Sequence, residues 1–240
     1  MNLRPFLSTA ALLALLLGAA ATAAETPAPT PPPDPPALSA EAQSPAPAPA
    51  PRPVRYFNQM GSADAPVLLL EFTDLQCPYC ARHALQTFPQ LKRDYIDTGK
   101  VQYASRDLPL ERHRHAFPAA VASRCAGEQG KFWEFRHALF AQQDSLASEP
   151  YARIAGELGL DVERLEACRK DGRQADNVRA DIALARLSNI SATPSFVLGR
   201  IVNDEFQGEA FSGAQPYENF KAKIDEQLKA AQAPSPAPAQ

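Results

Sequence analysis

Two cysteines separated by two residues, Cys77 and Cys80, are the side chains of this sequence best suited to chemistry. Such a pair can cycle between a dithiol and a disulfide if one thiol ionises readily. An apolar run from Val67 to Leu70 precedes the pair and a helix-like segment follows it. A thiolate at a helix start faces unpaired N–H groups and the positive end of the dipole, which lowers its pKa. We therefore expect Cys77 to be an exposed nucleophile and Cys80 the buried resolving thiol.

The same spacing also occurs in haem attachment motifs, zinc sites and structural disulfides. A haem attachment motif needs a histidine directly after the second cysteine, where this sequence has Ala81. A zinc site made of cysteines needs a second close pair, whereas Cys125 and Cys168 lie far apart. A Cys-x-x-Cys pair beside a strand-helix pattern therefore favours redox chemistry, with no metal and no organic cofactor.

The redox segment, Cys77-Pro78-Tyr79-Cys80 after Leu70-Glu71-Phe72, resembles that of the DsbA-like branch of thioredoxin-fold thiol-disulfide oxidoreductases. The resemblance covers roughly residues 54 to 228. It implies an α/β, thioredoxin-like fold with a mixed central sheet flanked by helices and a helical insertion at about residues 112–189. Four further motifs carry it: Asp64-Ala65-Pro66-Val67, Arg106-Asp107-Leu108-Pro109-Leu110, the stretch from Cys125 to Trp133, and Ala192-Thr193-Pro194-Ser195-Phe196.

The apolar pattern predicts a strand-helix-strand unit around the redox pair. Residues 66–72 form a continuous apolar run, which is typical of a buried central strand. A helix from Pro78 to about Thr98 should bend at Pro89 and end near Gly99. With the next strand at residues 101–105, this arrangement predicts parallel pairing through a right-handed crossover.

Helices and a terminal hairpin are predicted for the remaining chain. A strand at residues 195–198 should turn at Gly199-Arg200 into a second strand at 201–202, before a last helix at 216–228. Asp161 is a candidate helix N-cap. The preceding helices are predicted at residues 116–126, 131–142, 151–158, 162–170 and 173–187.

The flanking segments predict export. Residues 1–24 combine Arg4, an apolar centre and small residues, as in a signal peptide cleaved after Ala23 or Ala24. A retained membrane anchor is the alternative, although the apolar part is short for the roughly 20 residues of a spanning helix. Residues 25–53 are rich in proline and alanine and should form an extended linker. A catalytic domain at 54–230, opening with a short strand at 54–57, and a disordered tail at 231–240 complete this prediction.

The resemblance assigns roles to three residues outside the redox motif. Thr193-Pro194 is similar to the family's cis-proline loop, which packs against the redox pair and offers backbone groups to a substrate peptide. Glu71 matches a buried acidic residue that assists proton transfer around the second thiol. Burying a carboxylate is costly without a task or a partner. The alternative is therefore a structural ion pair of Glu71 with Lys92 or Lys100.

Cys125 and Cys168 remain once Cys77 and Cys80 are paired. In an exported protein we expect them to form a structural disulfide within the helical region. Two buried free thiols and a second redox pair are the alternatives.

Two other groups of side chains favour structural roles. His113 and His115 lack an accompanying metal-ligand motif, so we expect solvated or structural histidines. The near-helical spacing of an aromatic group predicts core packing rather than a ligand cage. This group consists of Phe132, Trp133, Phe135, Leu139 and Phe140.

The predicted function is disulfide exchange with exported proteins that contain cysteines, with a membrane redox partner resetting the pair. A net charge of −3 and the lack of a basic cluster argue against nucleic acid binding. Residues 25–53 cannot form the dimerisation domain of the dimeric periplasmic isomerases, so a monomer is expected.

The direction of electron flow stays open between a disulfide-donating oxidase, which is favoured, and a reductase or isomerase. Tyr79 replaces the histidine of the best-known oxidases and so removes a cation beside the thiolate. A chaperone or copper-binding protein of the same fold is a third alternative. Copper would favour additional methionine or histidine ligands, and the chain has only Met1 and Met60.

Overall fold

The computed structural model describes residues 58–202 and 205–232. The predicted signal peptide, the linker, the strand at 54–57 and the tail from residue 233 lie outside the described residues. Among the residues that are described, no helix has the length and apolar composition needed to cross a bilayer.

The described residues form one mixed five-stranded sheet, as predicted. Its strands are β1 (Gln59–Met60), β2 (Val67–Thr73), β3 (Val101–Asp107), β4 (Ser195–Val202) and β5 (Glu205–Ser212). Their order across the sheet is β1-β3-β2-β4-β5. β2 is central and pairs parallel with β3 and antiparallel with β4, while β1 and β5 are antiparallel edge strands. The crossover that the parallel pair requires carries the redox cysteines.

This crossover is helical from Pro78 to Ile96 but alternates between two helix types. It consists of α1 (Pro78–Arg82), a π-helical segment (His83–Thr87), α2 (Phe88–Leu91) and a second π-helical segment (Lys92–Ile96). The first π-helical segment ends two residues before Pro89, where a bend is predicted. Proline lacks the N–H that would continue a regular helical ladder, which accounts for the widened turn at this position. Gly99 follows the last turn with a φ of 74°, as predicted for a helix end.

Helices also fill the chain between β3 and β4, and their bounds match the prediction to within one residue at each end. Asp161 caps one of them by accepting the backbone N–H of Arg164 at 2.9 Å. After β5, α8 (Tyr217–Gln232) packs on the sheet and is longer than predicted. The inserted elements are α3 (Ala116–Gly127), α4 (Phe132–Ala141), a 3₁₀ helix (Gln143–Ser148), α5 (Tyr151–Glu157), α6 (Val162–Lys170) and α7 (Arg173–Leu187).

The predicted turn at Gly199-Arg200 is wrong, because β4 continues through both residues to Val202. Gly199 lies opposite Gly208 on β5. A Cβ atom on Gly199 would lie 2.0 Å from the backbone oxygen of Gln207. Glycine is therefore required here by the close approach of two strands rather than by a turn.

The helical insertion has its own core, and the redox cysteines belong to it. Cys77 and Cys80 pack in one buried cluster with residues of α3 to α7. Cys125 on α3 and Cys168 on α6 form a disulfide, with their Cα atoms 5.7 Å apart. Of the predicted aromatic group, Trp133 is half-buried and stacks on Phe88. Both rings pack against a second buried cluster, which lies on the sheet. The other four members, Phe132, Phe135, Leu139 and Phe140, are buried as predicted.

Candidate active site

The redox pair lies at the start of the crossover helix. Cys77 has an extended backbone and is the N-cap of α1, and Pro78 occupies the first turn, as predicted. Cys77 and Cys80 are both free thiols in the structure.

The expectation that Cys77 is exposed was wrong, since only 2% of its surface is accessible. Two elements distant in sequence cover it. The carbonyl oxygen of Thr193 lies 3.4 Å from the Cys77 sulfur. From the helical insertion, the Gln143 side chain donates to the backbone oxygens of Leu75 at 2.8 Å and of Cys77 at 3.0 Å. The approach of these two elements was not visible in the local pattern around the cysteines.

The two thiols differ strongly in acidity. The pKa of Cys77 is lowered from 9.0 to about 5, chiefly by a hydrogen bond from the Cys80 thiol and against the effect of burial. The backbone N–H groups of Cys80 and Tyr79 and the hydroxyl of Thr193 lower it further. Burial, the hydrogen bond to Cys77 and the charges of Cys77 and Glu71 raise the pKa of Cys80 well above 9.0. The geometry therefore supports a thiolate at Cys77 beside a neutral thiol at Cys80.

The loop before β4 completes the surface around Cys77. The peptide bond between Thr193 and Pro194 is cis. Both residues line a surface cavity of about 430 Å³, together with Tyr79 and Arg82 of α1. The Thr193 hydroxyl is buried and makes no hydrogen bond within the described ranges. An extended peptide in this cavity would contact Thr193, whose backbone oxygen lies 3.4 Å from the Cys77 sulfur.

Glu71 lies on β2 and is completely buried. Its Oε2 atom accepts hydrogen bonds from the Tyr103 hydroxyl at 2.7 Å and from the Arg136 guanidinium. The lysine partners considered from the sequence were wrong. Lys92 pairs with Asp97, and the Lys100 ammonium lies 3.4 Å from the backbone oxygen of Asp94. Arg136 comes from α4, so the partner of Glu71 belongs to the helical insertion.

A histidine extends this buried network. His83 is 0% exposed, and its Nε2 atom lies 3.3 Å from the Tyr103 hydroxyl. Because that hydroxyl donates its proton to Glu71, Nε2 is the donor in this contact. Burial lowers the pKa of His83 to about 4, which keeps the ring neutral. No role was predicted for His83, Tyr103 or Arg136, because they come from three separate elements and no local pattern connects them.

Asp74 holds the loop that leads into the redox pair through three hydrogen bonds, a role that was not predicted from the sequence. One of its carboxylate oxygens accepts the Gln76 N–H at 2.7 Å. The other lies 2.8 Å from both the Leu110 backbone nitrogen and Nδ1 of His113. The Asp74 N–H lies 3.4 Å from the Cys80 sulfur, which positions the resolving thiol. His113 therefore has one of the two roles predicted for it, a structural one.

Comparison with curated proteins finds relatives that are much longer than this chain. The Na(+)/H(+) antiporter NhaA 3 of Salinispora tropica is 38% identical over 156 residues, which cover 64% of this chain and 23% of that protein. NhaA of Herminiimonas arsenicoxydans is 38% identical over 136 residues, which cover 57% of this chain and 21% of that protein. The chain thus spans less than a quarter of these relatives, whose names describe the whole proteins.

Comparison with solved structures and family models covers most of the chain. Wolbachia pipientis alpha-DsbA1 is 28% identical with a TM-score of 0.65, over 72% of this chain and 92% of that one. BdbD from Bacillus subtilis is 26% identical with a TM-score of 0.60, over 72% and 92%. Pseudomonas aeruginosa DsbA2 is 28% identical with a TM-score of 0.58, over 74% and 97%. The thioredoxin family model Thioredoxin_4 matches residues 57–226. With a cysteine pair at the start of a crossover helix and a cis-proline beside it, this chain belongs to the thioredoxin family, in its DsbA-like branch.

Proposed function

We propose that this protein is an exported thiol-disulfide oxidoreductase that donates the Cys77–Cys80 disulfide to other proteins. The difference in acidity between the two thiols carries this proposal: the pKa of Cys77 is about 5 and that of Cys80 is well above 9.0. A stabilised thiolate favours the reduced enzyme, which makes the oxidised enzyme a strong disulfide donor.

The reaction transfers two electrons from the substrate to the enzyme. A substrate thiolate attacks the Cys77 sulfur, the Cys77–Cys80 bond breaks, and Cys80 takes up a proton because its pKa is high. A second substrate thiolate then attacks the substrate sulfur of the mixed disulfide. The substrate leaves as a disulfide, and Cys77 departs as the stabilised thiolate. No metal or organic cofactor takes part in these steps.

Three residues support these steps. Thr193 and Pro194 border the cavity beside Cys77, where their backbone would hold the substrate segment. Glu71 interacts electrostatically with Cys80. In its buried position this carboxylate would exchange a proton with the Cys80 thiol as that thiol is formed or consumed.

Export rests on the sequence of the first residues. The signal pattern at 1–24 and the proline-rich stretch at 25–53 support a location in the periplasm or cell envelope, after cleavage or with a retained anchor. The substrates there would be exported proteins with cysteine pairs. A membrane redox partner would accept the electrons from the reduced pair and restore its disulfide. We propose that the protein acts as a monomer.

A reductase or isomerase is the second candidate, and Tyr79 favours it. This side chain is 57% exposed between the two cysteines and supplies no positive charge to the thiolate. A less stabilised thiolate would make the pair less oxidising. A copper-binding protein of the same fold was a further alternative. The described residues contain no group of three or more histidine, cysteine or acidic side chains suited to a metal.

A disulfide transfer assay tests the proposed function. The oxidised protein is mixed with a reduced, unfolded protein that contains cysteines, and disulfide formation is followed by mass spectrometry. We expect one substrate disulfide per oxidised enzyme and no transfer by Cys77→Ser or by Cys80→Ser, because neither variant can form the Cys77–Cys80 disulfide that supplies the oxidising equivalents. Cys125→Ala combined with Cys168→Ala serves as the control that keeps the redox pair. A protein that transfers no disulfide while its own pair is oxidised would contradict the proposal.

A further inference from the structure

One charged side chain faces the surface beside the redox pair. Arg82 is the last residue of α1 and is exposed. It lines the cavity of about 430 Å³ at the cis-proline loop and also a neighbouring cavity of about 370 Å³. Among the described residues that line either cavity, Arg82 alone carries a full charge at neutral pH. We call the two cavities together the Arg82 groove.

Neutral groups hold the Arg82 guanidinium in place. One of its nitrogens donates to the backbone oxygen of Ala214 at 3.2 Å, and its Cζ atom lies 5.1 Å from the centre of the Tyr79 ring. The ion pairs found in residues 58–202 and 205–232 do not include Arg82. A guanidinium has five N–H donors in a planar fork. Most of these donors, and the whole positive charge, therefore remain available to a ligand.

The groove has two walls that would guide an extended peptide past Arg82. Tyr79, Arg82 and Gln86 follow one another along one wall, on the helical crossover. Residues 213–215 form the opposite wall, which continues into the cis-proline loop. A segment whose cysteine reacts with Cys77 would pass the cis-proline loop, which lines the same cavity as Arg82, so its neighbouring side chains would come within reach of Arg82.

We propose that the Arg82 groove binds substrate segments that carry a carboxylate side chain close to the reactive cysteine, and that Arg82 pairs with this carboxylate. The inference rests on the proposed function and names the substrate class of the same site. A planar guanidinium can bind a carboxylate through two parallel hydrogen bonds. The second source of selectivity is repulsion, since a lysine at the same substrate position would meet an uncompensated positive charge.

The expected effect is moderate and depends on salt. The groove is open to solvent, where an ion pair changes an equilibrium or a rate by roughly threefold. We expect a glutamate peptide to react roughly threefold faster than its glutamine counterpart, with the lysine peptide slowest. At 1 M salt the screening length falls to about 3 Å, so the three rates should converge.

The test uses dithiol peptides that differ in one residue next to the reactive cysteine. Glutamate, glutamine and lysine are compared on either side of that cysteine, and the rate constant for reduction of the oxidised protein is measured at low and high salt. Each rate is divided by the rate with dithiothreitol, a neutral dithiol, which corrects for changes in the reactivity of Cys77.

Two variants of Arg82 and one matched control decide the outcome. Arg82→Gln should remove the preference for glutamate, and Arg82→Lys should retain most of it because the charge is kept. Arg164→Gln changes an exposed arginine on α6 and should leave the preference intact. Equal rates for the three peptides, or an undiminished glutamate preference in Arg82→Gln, would overturn the inference. Failure to oxidise any peptide would instead contradict the proposed function, and the inference would fall with it.

Discussion

The sulfur of Cys77 lies 3.4 Å from the backbone oxygen of Thr193, the residue whose peptide bond to Pro194 is cis. The Cys77 thiol and the loop that borders the surface cavity are therefore in direct contact, although 116 positions separate them in sequence. The buried Thr193 hydroxyl also lowers the pKa of Cys77. Thr193 thus both lines the surface cavity and affects the acidity of the thiol.

Replacing the hydroxyl of Thr193 should make Cys77 less acidic. Thr193→Val keeps the shape of the side chain and removes its donor, so the pKa of Cys77 should rise by about one unit, since a hydrogen bond to a charged group contributes about 1.5–3 kcal/mol. The thiolate absorbance of the reduced protein, titrated with pH, measures this shift. Ser123→Ala removes another buried hydroxyl, on α3, and is the control. An unchanged midpoint in Thr193→Val would show that the hydroxyl does not stabilise the thiolate.

The stability of the reduced protein should fall as the pH falls. Cys77 has a pKa of about 5 in the folded protein against an ordinary value of 9.0. A group whose pKa is lower in the folded protein stabilises the fold fully at pH values above its pKa in the unfolded chain. This stabilisation is lost as the pH falls through the pKa of the group in the folded protein. When the pH is lowered from 7 to 5, protonation of Cys77 should decrease the unfolding free energy of the reduced protein by about 2 kcal/mol.

Denaturant unfolding of both redox forms checks this pH dependence. The oxidised protein has no thiolate at Cys77, so the difference in stability between reduced and oxidised protein should shrink over the same pH range. Cys77→Ser should lose this part of the dependence. A constant difference between the two redox forms would mean that Cys77 is not ionised at pH 7.

Glu71→Gln should slow the steps in which Cys80 gains or loses a proton. The amide keeps the shape of the side chain but cannot exchange a proton, and we expect formation of the mixed disulfide, the step in which Cys80 takes up a proton, to slow by about a hundredfold. The substitution also leaves Arg136 buried without its carboxylate, which should cost about 3–5 kcal/mol of stability. Single-turnover exchange across pH measures the first effect, and urea unfolding measures the second.

Tyr103→Phe is the matched control for that experiment. It removes the hydroxyl that bonds to Glu71 but keeps the carboxylate and its ion pair with Arg136. Stability should fall by about 1–3 kcal/mol because a buried acceptor loses its donor, while exchange slows far less than in Glu71→Gln. Equal exchange in Glu71→Gln and the unmodified protein at every pH would remove Glu71 from the mechanism.

The disulfide between Cys125 and Cys168 should stabilise the helical insertion. It closes a loop across 43 positions, for which chain entropy gives about 4 kcal/mol. Cys125→Ala with Cys168→Ala should lower the unfolding free energy by that order and retain disulfide transfer through Cys77. Mass spectrometry of peptides from the non-reduced protein shows the bridge directly. Free thiols at both positions in the native protein would contradict this account.

Local patterns were sufficient to predict the elements around the redox pair. Each local feature there predicts one structure. The apolar run of β2 predicts a buried strand, the proline at the start of α1 predicts a helix start, and the glycine after the crossover predicts a helix end. The β4–β5 turn was wrongly placed because glycine marks both turns and close strand contacts. Only the position of Gly208 across the sheet decides between these two.

The surroundings of the thiols could not be predicted in the same way. The burial of Cys77 involves Thr193 and Gln143, which lie 116 and 66 positions away in sequence. The partner of Glu71 is Arg136, 65 positions away on a helix whose spacing predicted only core packing. Such contacts are fixed by the way the helical insertion docks on the sheet, and no short-range pattern encodes them.

The reduction potential of the Cys77–Cys80 pair tests the central proposal most directly. The protein is equilibrated in glutathione buffers, and the fraction of reduced pair is determined by alkylation and mass spectrometry. A thiolate stabilised as strongly as that of Cys77 predicts a potential well above the thioredoxin value of about −270 mV. A potential near or below that value would contradict disulfide donation and favour a reductase that keeps exported thiols reduced.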